Sequence, residues 1–323
     1  MSEDGAAATG TGGGVAGDVP GVEVDVSAEG PAARAPARAM GSAIDITTPD
    51  RVLLAGQQDG GAPGAPAIVL LHGLTATRRY VVMGSRLLQR SGYRVIAYDA
   101  RGHGQSAPAP RPDAYGYEQL ADDLAAVLDT LGIARAALAG ASMGAHTILR
   151  FALRHPERVA ALGIVTPAFD PDAAPGAGPE GDRAALARGL RAGGVEGFLA
   201  AYDFSRVPPA WRETVERVVR QRLAAHAHPD AVADALEGVS RSRPFESIDE
   251  LARIAIPAVV VASRDEVDPG HPLALAERYA AAIPGAALTV EDGGPPARSP
   301  IAWQGGQLSR VLLELLARAR WER

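Results

Sequence analysis

A serine with a glycine two residues before it and another two residues after it has the clearest chemical potential in this chain. Ser142 lies in Gly140-x-Ser142-x-Gly144, after a short apolar run and before a helical pattern that begins at Met143. A serine on a sharp strand-to-helix turn has strained backbone angles, and only small flanking residues allow so tight a turn. Such a turn holds the hydroxyl clear of the sheet and places the Met143 N–H near an anion that forms beside it. The pattern predicts a serine nucleophile, with a purely structural turn as the plainer interpretation.

The composition excludes several other kinds of chemistry. The 323 residues include no cysteine, no lysine and no asparagine. Without cysteine there are no disulfides, thiolate nucleophiles or cysteine zinc ligands, and without lysine there is no Schiff-base chemistry and no P-loop lysine. The formal net charge of −6, spread without blocks of like charge, argues against a nucleic-acid partner.

The start of the chain and its hydropathy predict where the protein works. The first residues lack the basic start and apolar core of a secretory signal, and no window approaches the roughly 18 apolar residues of a membrane span. We therefore expect a soluble, cytoplasmic protein with no membrane span. Residues 1–41 are mostly glycine, alanine and proline, which predicts a disordered tail. Met40 near its end is a second candidate start.

Strand and helix patterns alternate along most of the chain after this tail. The apolar runs that predict buried strands lie at 67–71, 93–98, 137–139, 160–166, 256–261 and 287–290. The alternation predicts an α/β fold, with a mostly parallel twisted sheet and helices on both faces. Two shorter runs within 42–54 predict an antiparallel pair at the sheet edge. One of the predicted helices extends from Tyr80 to Arg90.

The alternation breaks between residues 170 and 245. This stretch has no apolar strand run, and it holds a loop rich in proline, glycine and aspartate followed by three or four helical patterns. Strand-type sequence resumes after it. We therefore predict that residues 42–169 and 246–323 form one core domain, and that residues 170–245 are a helical insertion in it.

Two further motifs stand directly after predicted strands. His72-Gly73 follows the strand at 67–71, and Asp99-Ala-Arg-Gly-His-Gly-Gln-Ser106 follows the strand at 93–98. Together with the serine motif, in this order and at this spacing, they make residues 42 to about 320 resemble the α/β-hydrolase fold family.

The resemblance implies roles for several more residues. In the family, the residue after His-Gly supplies a second oxyanion N–H, which here would be Leu74, paired with Met143. His72 would be a packing and hydrogen-bonding residue, and His103 in the second motif would not be the base. The helical insertion corresponds to the family's lid, which would roof the serine. No metal or organic cofactor is implied, and the expected partner is a small-molecule acyl substrate.

The resemblance also implies the order of a catalytic triad, which is serine, then acid, then histidine. The acid is expected just after the strand at 256–261, where Asp265 stands with Glu266 and Asp268 close behind. The histidine is expected after the strand at 287–290, usually as Gly-His. This chain departs from the family there, because it has no histidine beyond His271.

His271 is the remaining candidate for the base. The other histidines outside the motifs are expected to face solvent or to cap a helix, namely His146, His155, His226 and His228. His271 lies six residues after Asp265, within about 20 Å of extended chain, and both loops leave the same edge of the sheet. A simpler interpretation is that it caps the helix that Pro272 opens. The predicted triad is Ser142, His271 and either Asp265 or Asp268.

Three functions remain open from the sequence. The first is a serine hydrolase that cleaves a small ester, thioester or similar acyl substrate through an acyl-enzyme intermediate. The second is a non-catalytic α/β-hydrolase-fold protein that binds a ligand or partner, which the missing C-terminal histidine favours. The third is an enzyme that uses Ser142 without a histidine base, for example through a water held by acids. Serine at this turn excludes the aspartate nucleophile of the family's dehalogenases and epoxide hydrolases.

Overall fold

Eight strands form one sheet in the part of the chain that the computed structural model describes, which is residues 41–62, 64–173, 183–264, 268, 270–291 and 306–321. The strands are β1 (Ser42–Thr47), β2 (Leu53–Asp59), β3 (Ala67–Leu71), β4 (Arg94–Tyr98), β5 (Ala136–Ala141), β6 (Val159–Val165), β7 (Ala258–Ala262) and β8 (Ala287–Val290). Their order in the sheet is β1-β2-β4-β3-β5-β6-β7-β8. β2 is antiparallel to β1 and β4, and the other neighbours are parallel. The predicted mostly parallel α/β sheet with an antiparallel edge pair is confirmed. The predicted tail lies outside the described residues except for Gly41.

Helices cover both faces of this sheet and one of its edges. They are α1 (Leu87–Arg90), α2 (Tyr117–Thr130), α3 (Met143–Arg154), α4 (Arg183–Ala201), α5 (Arg212–Leu223), α6 (Pro229–Arg241), α7 (Leu273–Ala282) and α8 (Gln307–Leu316). Apolar side chains of α2, α3 and α7 pack on one face, and those of α1 and α8 pack on the other. The central strands are therefore buried on both sides, which explains their continuous apolar sequences. None of the described helices is both long and apolar enough to cross a membrane.

The predicted helix from Tyr80 to Arg90 is wrong over most of its length. Only its last four residues, Leu87–Arg90, are α-helical, and a single 3₁₀ turn, Arg78–Tyr80, precedes them. Between these two turns Met83 and Gly84 have φ angles of 46° and 77°. A right-handed helix needs a negative φ at every residue, so these two positions end the pattern.

Three helices, α4, α5 and α6, lie between β6 and β7 along the chain. We refer to α4–α6 and the turns that join them as the helical insertion. Its apolar side chains form one cluster with residues that follow β3 and β5. Leu190 and Phe198 of α4, for example, belong to the same buried cluster as Leu74 and Met143. The insertion therefore packs against the edge of the sheet that carries Ser142.

Candidate active site

Ser142 forms the turn between β5 and α3. Its φ of 50° and ψ of −111° lie where residues with a side chain are rarely found, and such strain costs on the order of 1–3 kcal/mol. A Cβ atom on Gly140 would overlap the Gly144 backbone, and a Cβ atom on Gly144 would overlap the carbonyl of Leu71 at the end of β3. The two glycines therefore allow the close approach of β3, β5 and α3 that makes the turn possible. The Ser142 side chain is half-buried at this turn.

Two backbone N–H groups lie beside Ser142. Met143 is the first residue of α3, so its N–H has no acceptor within the helix. A Cβ atom built on Gly73 would lie 3.4 Å from the Ser142 Cβ, which puts the next residue, Leu74, beside the serine. Neither of these N–H groups donates a hydrogen bond to another described residue. Two unused donors next to a strained serine are what an oxyanion hole requires.

His72 fixes the peptide that carries the Leu74 N–H. Its Nδ1 donates to the Gly73 carbonyl oxygen at 2.8 Å, and its Nε2 accepts the Ala100 N–H at 2.9 Å. The C=O and N–H of a trans peptide point in opposite directions, so holding the Gly73 oxygen also sets the direction of the Leu74 N–H. Burial lowers the pKa of His72 to about 3, and nearby positive charges act in the same direction, so the ring is neutral. The packing and hydrogen-bonding role implied for His72 is confirmed.

The second motif forms a loop around the buried Asp99 carboxylate. This carboxylate accepts the Arg78 N–H at 2.8 Å and pairs with the Arg78 guanidinium. A Cβ atom on Gly104 would overlap the same carboxylate, which explains the glycine. His103 is buried in this loop and donates through Nδ1 to the Arg101 carbonyl oxygen at 3.0 Å. Burial lowers the pKa of His103 well below its ordinary value, so it is a neutral structural residue.

The prediction that His146 faces outward from α3 is wrong. The residue is only 3% exposed, and its Nε2 accepts the N–H groups of Ala168 and Phe169, each at 3.1 Å. Its Nδ1 lies 3.1 Å from the Tyr117 hydroxyl oxygen. Burial lowers the pKa of His146 to about 3. Because both ring nitrogens are engaged, His146 is not available as a base. Helix α2 and the segment after β6 cover this face of α3.

The prediction that His226 faces solvent is also wrong, whereas His228 is exposed as predicted. His226 follows α5, and its Nδ1 accepts the Gly104 N–H at 2.7 Å. Its Nε2 donates to the Thr75 carbonyl oxygen at 3.0 Å. Burial lowers the pKa of His226, so this ring too is neutral. His155 stands at the C-terminal end of α3, where it was predicted.

Three buried imidazole rings form a cluster behind the loop after β3. The His103 ring centroid lies 5.1 Å from that of His72 and 5.5 Å from that of His226. The unprotonated nitrogens of His72 and His226 already accept backbone N–H groups, so they are not free to bind a metal. Across the described ranges, no three His, Asp or Glu side chains are placed to hold a metal ion.

His271 is hydrogen-bonded to an acidic residue of its own loop. Its Nδ1 lies 2.8 Å from Oδ1 of Asp268, and the two side chains are 17% and 28% exposed. Burial acts to raise the pKa of Asp268, but the charge and hydrogen bond of His271 and the charge of Arg222 outweigh it and lower this pKa. Asp265, the first candidate for the acid, lies outside the described residues. The structure therefore pairs His271 with the second candidate, Asp268.

The loop that carries His271 leaves the same edge of the sheet as Ser142. The residues that stand in one row at the ends of β5, β6 and β7 are Ala141, Val165 and Val261. Ser142 and the loop after β7 are thus two strands apart, or about 10 Å sideways. The charge of His271 also lowers the pKa of His146, which lies one helical turn after Ser142. No hydrogen bond joins the Ser142 hydroxyl to a described residue, so His271 and Ser142 share an edge without being hydrogen-bonded.

Two residues of the helical insertion contact the loop after β3, and neither contact was predicted from the sequence. Arg222, near the end of α5, donates to the Leu74 carbonyl oxygen at 3.1 Å and to the Thr75 hydroxyl oxygen at 3.3 Å. His226 reaches the Thr75 carbonyl from the same side. No motif marks these positions. Their four-residue spacing, which places them on one side of a helix end, is the only signal that could have paired them.

A family model described as the alpha/beta hydrolase fold matches residues 66–296. The chain belongs to the α/β-hydrolase fold family, as the order of its strands and the turn at Ser142 indicate. It is similar to the putative carbamate hydrolase RutD of Variovorax paradoxus (strain S110), with 30% identity over 259 residues that cover 80% of this chain and 94% of that protein. The putative carbamate hydrolase RutD of Klebsiella pneumoniae (strain 342) is 29% identical over 226 residues, which cover 69% of this chain and 81% of that protein.

Two solved structures have the same fold with similar coverage. An enol-lactonase from Burkholderia xenovorans LB400 has a TM-score of 0.69 and 25% identity, and the match covers 85% of this chain and all of that one. A thermophilic esterase from Thermogutta terrifontis has a TM-score of 0.68 and 27% identity, over 86% of this chain and 98% of that one. These relatives are hydrolases, and this chain is a hydrolytic, esterase-like enzyme of the same fold.

Proposed function

We propose that the protein is a serine hydrolase that cleaves a small ester, thioester or carbamate-type bond through an acyl-enzyme intermediate. The observation that carries the proposal is the turn at Ser142. A strained serine lies against the loop after His72, with two unused N–H donors from Leu74 and Met143 beside it. A purely structural turn gains nothing from this strain, whereas a nucleophile gains an accessible hydroxyl next to an oxyanion site. The names of the relatives, among them carbamate hydrolases, an esterase and a lactonase, support the same class of bond.

His271 is the base in this proposal, and Asp268 is the residue that orients it. In a serine triad the acid bonds Nδ1 of the imidazole, so that Nε2 is directed to the serine. The His271–Asp268 bond has this sense, because Nδ1 is the nitrogen that contacts the carboxylate. The pair lies at the sheet edge that holds Ser142. Catalytic hydrogen bonds are often long in unliganded enzymes, so the Ser142–His271 bond would form in the substrate complex.

The reaction follows from these positions. The Ser142 oxygen attacks the substrate carbonyl carbon while its proton passes to Nε2 of His271. The Leu74 and Met143 N–H groups stabilise the resulting oxyanion, and each such donor contributes on the order of 10²- to 10³-fold in rate. The bond to the leaving group then breaks, and His271 returns the proton to that group. A water molecule, activated by His271, releases the acyl group and restores Ser142.

The helical insertion serves as a lid over an apolar acyl pocket in this proposal. The side chains of Leu74 and Met143 share a buried cluster with those of Leu190, Phe198 and Leu223 from the insertion. A short apolar acyl group would lie among such side chains more favourably than a charged one. We extend this lid to residues 170–245, with residues 42–169 and 246–323 as the core domain. The cytoplasmic location stays a prediction.

The test is labelling with a fluorophosphonate probe, together with hydrolysis of p-nitrophenyl acetate. The probe should label the protein at Ser142, and Ser142→Ala should abolish both labelling and hydrolysis with little change in melting temperature. Ser263→Ala is the matched control. Ser263 follows β7 at the same edge, is fully buried, and its hydroxyl makes no hydrogen bond to a described residue. This variant should keep both activities.

The rival function is a non-catalytic protein that binds a ligand in the same pocket. The observation in its favour is the lack of any histidine after His271. Its expected result is an unlabelled wild-type protein that does not turn over the ester, and this result would reject the proposed hydrolase. Labelling that survives His271→Ala would instead favour an enzyme that activates Ser142 without a histidine.

A further inference from the structure

The helical insertion holds the loop that carries one of the oxyanion donors. We propose that Arg222 and His226 are positioning residues that hold the two peptides after Leu74 and, through them, support the Gly73–Leu74 peptide that carries the Leu74 N–H, so that the placement of the insertion controls the oxyanion hole. This inference rests on the proposed function, because it concerns how the oxyanion hole of the same site is held in place. Its basis is the set of hydrogen bonds that reach three consecutive carbonyl groups of the loop.

The loop after β3 is strained at Thr75. Its φ of 62° lies in the left-handed region, which is unfavourable for a β-branched residue. Such a conformation persists only where neighbouring groups hold it. On one side, His72 and the Ala76 N–H both donate to the Gly73 carbonyl oxygen, at 2.8 Å and 3.1 Å. These bonds come from within the core.

The remaining two carbonyl groups are held from the helical insertion. Arg222 donates to the Leu74 carbonyl oxygen at 3.1 Å, and His226 donates to the Thr75 carbonyl oxygen at 3.0 Å. Arg222 also donates to the Thr75 hydroxyl oxygen. The peptide planes on either side of Thr75 are therefore both fixed by side chains that the insertion supplies. Without them, Thr75 is free to relax, and the Thr75–Ala76 peptide turns with it. The N–H of this peptide donates to the Gly73 carbonyl oxygen, so the peptide that carries the Leu74 N–H would then keep only its bond from His72.

His226 is itself anchored on the core. Its Nδ1 accepts the Gly104 N–H at 2.7 Å, and the next residue, Ala227, donates its N–H to the Gly104 carbonyl oxygen at 2.8 Å. The ring thus bridges the loop around Asp99 and the loop after β3. A bridge of this kind needs one donor and one acceptor nitrogen, which is the neutral imidazole. Burial lowers the pKa of His226, which keeps the ring in this form.

Two conservative variants separate positioning from packing. In His226→Gln the amide nitrogen reaches about as far as Nε2 and keeps the bond to Thr75, whereas the bond to Gly104 is lost. In His226→Asn the amide oxygen occupies the place of Nδ1 and keeps the bond to Gly104, whereas the side chain is too short for Thr75. Each variant keeps one of the two bonds, so their melting temperatures should be similar. Of these two bonds, only the one to Thr75 holds the loop after β3.

The expected result is a split in kcat. His226→Gln should retain kcat within a few-fold, and His226→Asn should lose roughly 10-fold or more with little change in KM, as part of the 10²- to 10³-fold that an oxyanion donor supplies. Arg222→Met removes the donors to Leu74 and Thr75 but leaves both His226 bonds. Because the charge of Arg222 also acts on Asp268, this variant is judged from hydrogen exchange in the loop and not from kcat alone. His228→Asn, an exposed neighbour, is the control and should match the wild type.

Amide hydrogen exchange of residues 73–76 gives a readout that does not need turnover. Exchange there should be faster in His226→Asn and in Arg222→Met than in His226→Gln. Equal kcat values and equal exchange in His226→Asn, His226→Gln and wild type, with Arg222→Met also unchanged, would overturn the inference. The failure of the proposed function looks different. In that case the wild type shows no Ser142-dependent hydrolysis, while the exchange experiment still reports on the loop.

Discussion

The Nδ1 atom of His271 lies 2.8 Å from Oδ1 of Asp268, three residues earlier in the same loop. The backbone supports this arrangement, because the His271 N–H donates to the Asp268 carbonyl oxygen at 3.0 Å. Asp268 and His271, the acid and the base of the proposed triad, therefore lie on the same turn of the chain. In the proposed triad, the acid after β7 would orient a histidine three residues later, in place of the histidine expected after β8.

The first prediction decides between the two acids. Asp268→Asn should lower kcat by roughly 10³-fold or more, because an amide at this place no longer stabilises the imidazolium or its tautomer. Asp265→Asn, three residues earlier, is the matched control and should cost less than 10-fold. The measurement is kcat for p-nitrophenyl acetate in both variants, with circular dichroism to confirm that each is folded.

His271→Ala should lose activity on the same scale as Asp268→Asn, since the two side chains act as a unit. The double variant should then be hardly worse than either single one. A large loss in Asp265→Asn combined with normal activity in Asp268→Asn would reverse the assignment of the acid. Full activity in His271→Ala would remove the base from the mechanism.

The second prediction concerns the glycines of the serine turn. Gly144→Ala should lower the free energy of unfolding by about 1–3 kcal/mol, the usual cost of overpacking, because the added Cβ atom overlaps the Leu71 carbonyl. It should also reduce activity, since relief of the overlap separates α3 from β3 and displaces Ser142. Urea unfolding measures the first effect, and ester hydrolysis measures the second.

Gly193 offers the control for that variant. It lies at a kink in α4, where its φ is −142° and its ψ is 19°, and a Cβ atom built on it would meet nothing within 4 Å. Gly193→Ala should therefore stay within about 0.5 kcal/mol of the wild type and keep its activity. Equal stability of the two alanine variants would show that the turn at Ser142 is looser than its geometry indicates.

Features that depend on residues close together in the sequence could be predicted correctly. The turn at Ser142 and the strands around it could be predicted because a strand, a turn and a helix follow one another within 20 residues. His146 and His226 could not be placed, because the groups that bury them come from distant parts of the chain. The Tyr117 hydroxyl covers His146, and the Thr75 carbonyl receives His226 across about 150 residues of sequence. Helical periodicity gives the face of a helix, but it does not say what packs on that face.

The sequence also does not show which of two neighbouring acidic residues bonds to His271. Asp265 and Asp268 are both acidic residues of one loop, and the family order alone favours the first. The hydrogen bond to His271 depends on the turn at Gly270, in which the His271 N–H bonds back to Asp268. Such a turn has little signature beyond its glycine and its proline residues.

The last prediction concerns acid stability. Burial lowers the pKa values of His72 and His146 to about 3 in the folded protein, against about 6.5 for an unfolded chain. Below pH 6.5 these two imidazoles are therefore protonated in the unfolded state but stay neutral in the folded state. The free energy of unfolding decreases for this reason as the pH falls toward 3. These two residues alone give a slope of about 3 kcal/mol per pH unit near pH 5. His103 and His226, whose pKa values burial also lowers, add to it.

Chemical unfolding between pH 7.5 and 4.5 measures this slope. Stability should change least near about pH 7.5 and should fall with increasing steepness below about pH 7. This fall comes before the Asp268 carboxylate, whose pKa is lowered, begins to lose its charge. His146→Gln should reduce the slope by about one proton, or about 1.4 kcal/mol per pH unit. His228→Gln makes the same replacement at an exposed position and serves as the control. A flat stability curve from pH 7 to pH 5 would mean that the buried imidazoles take up protons without unfolding, and the neutral bridge formed by His226 would then be lost in the folded state as well.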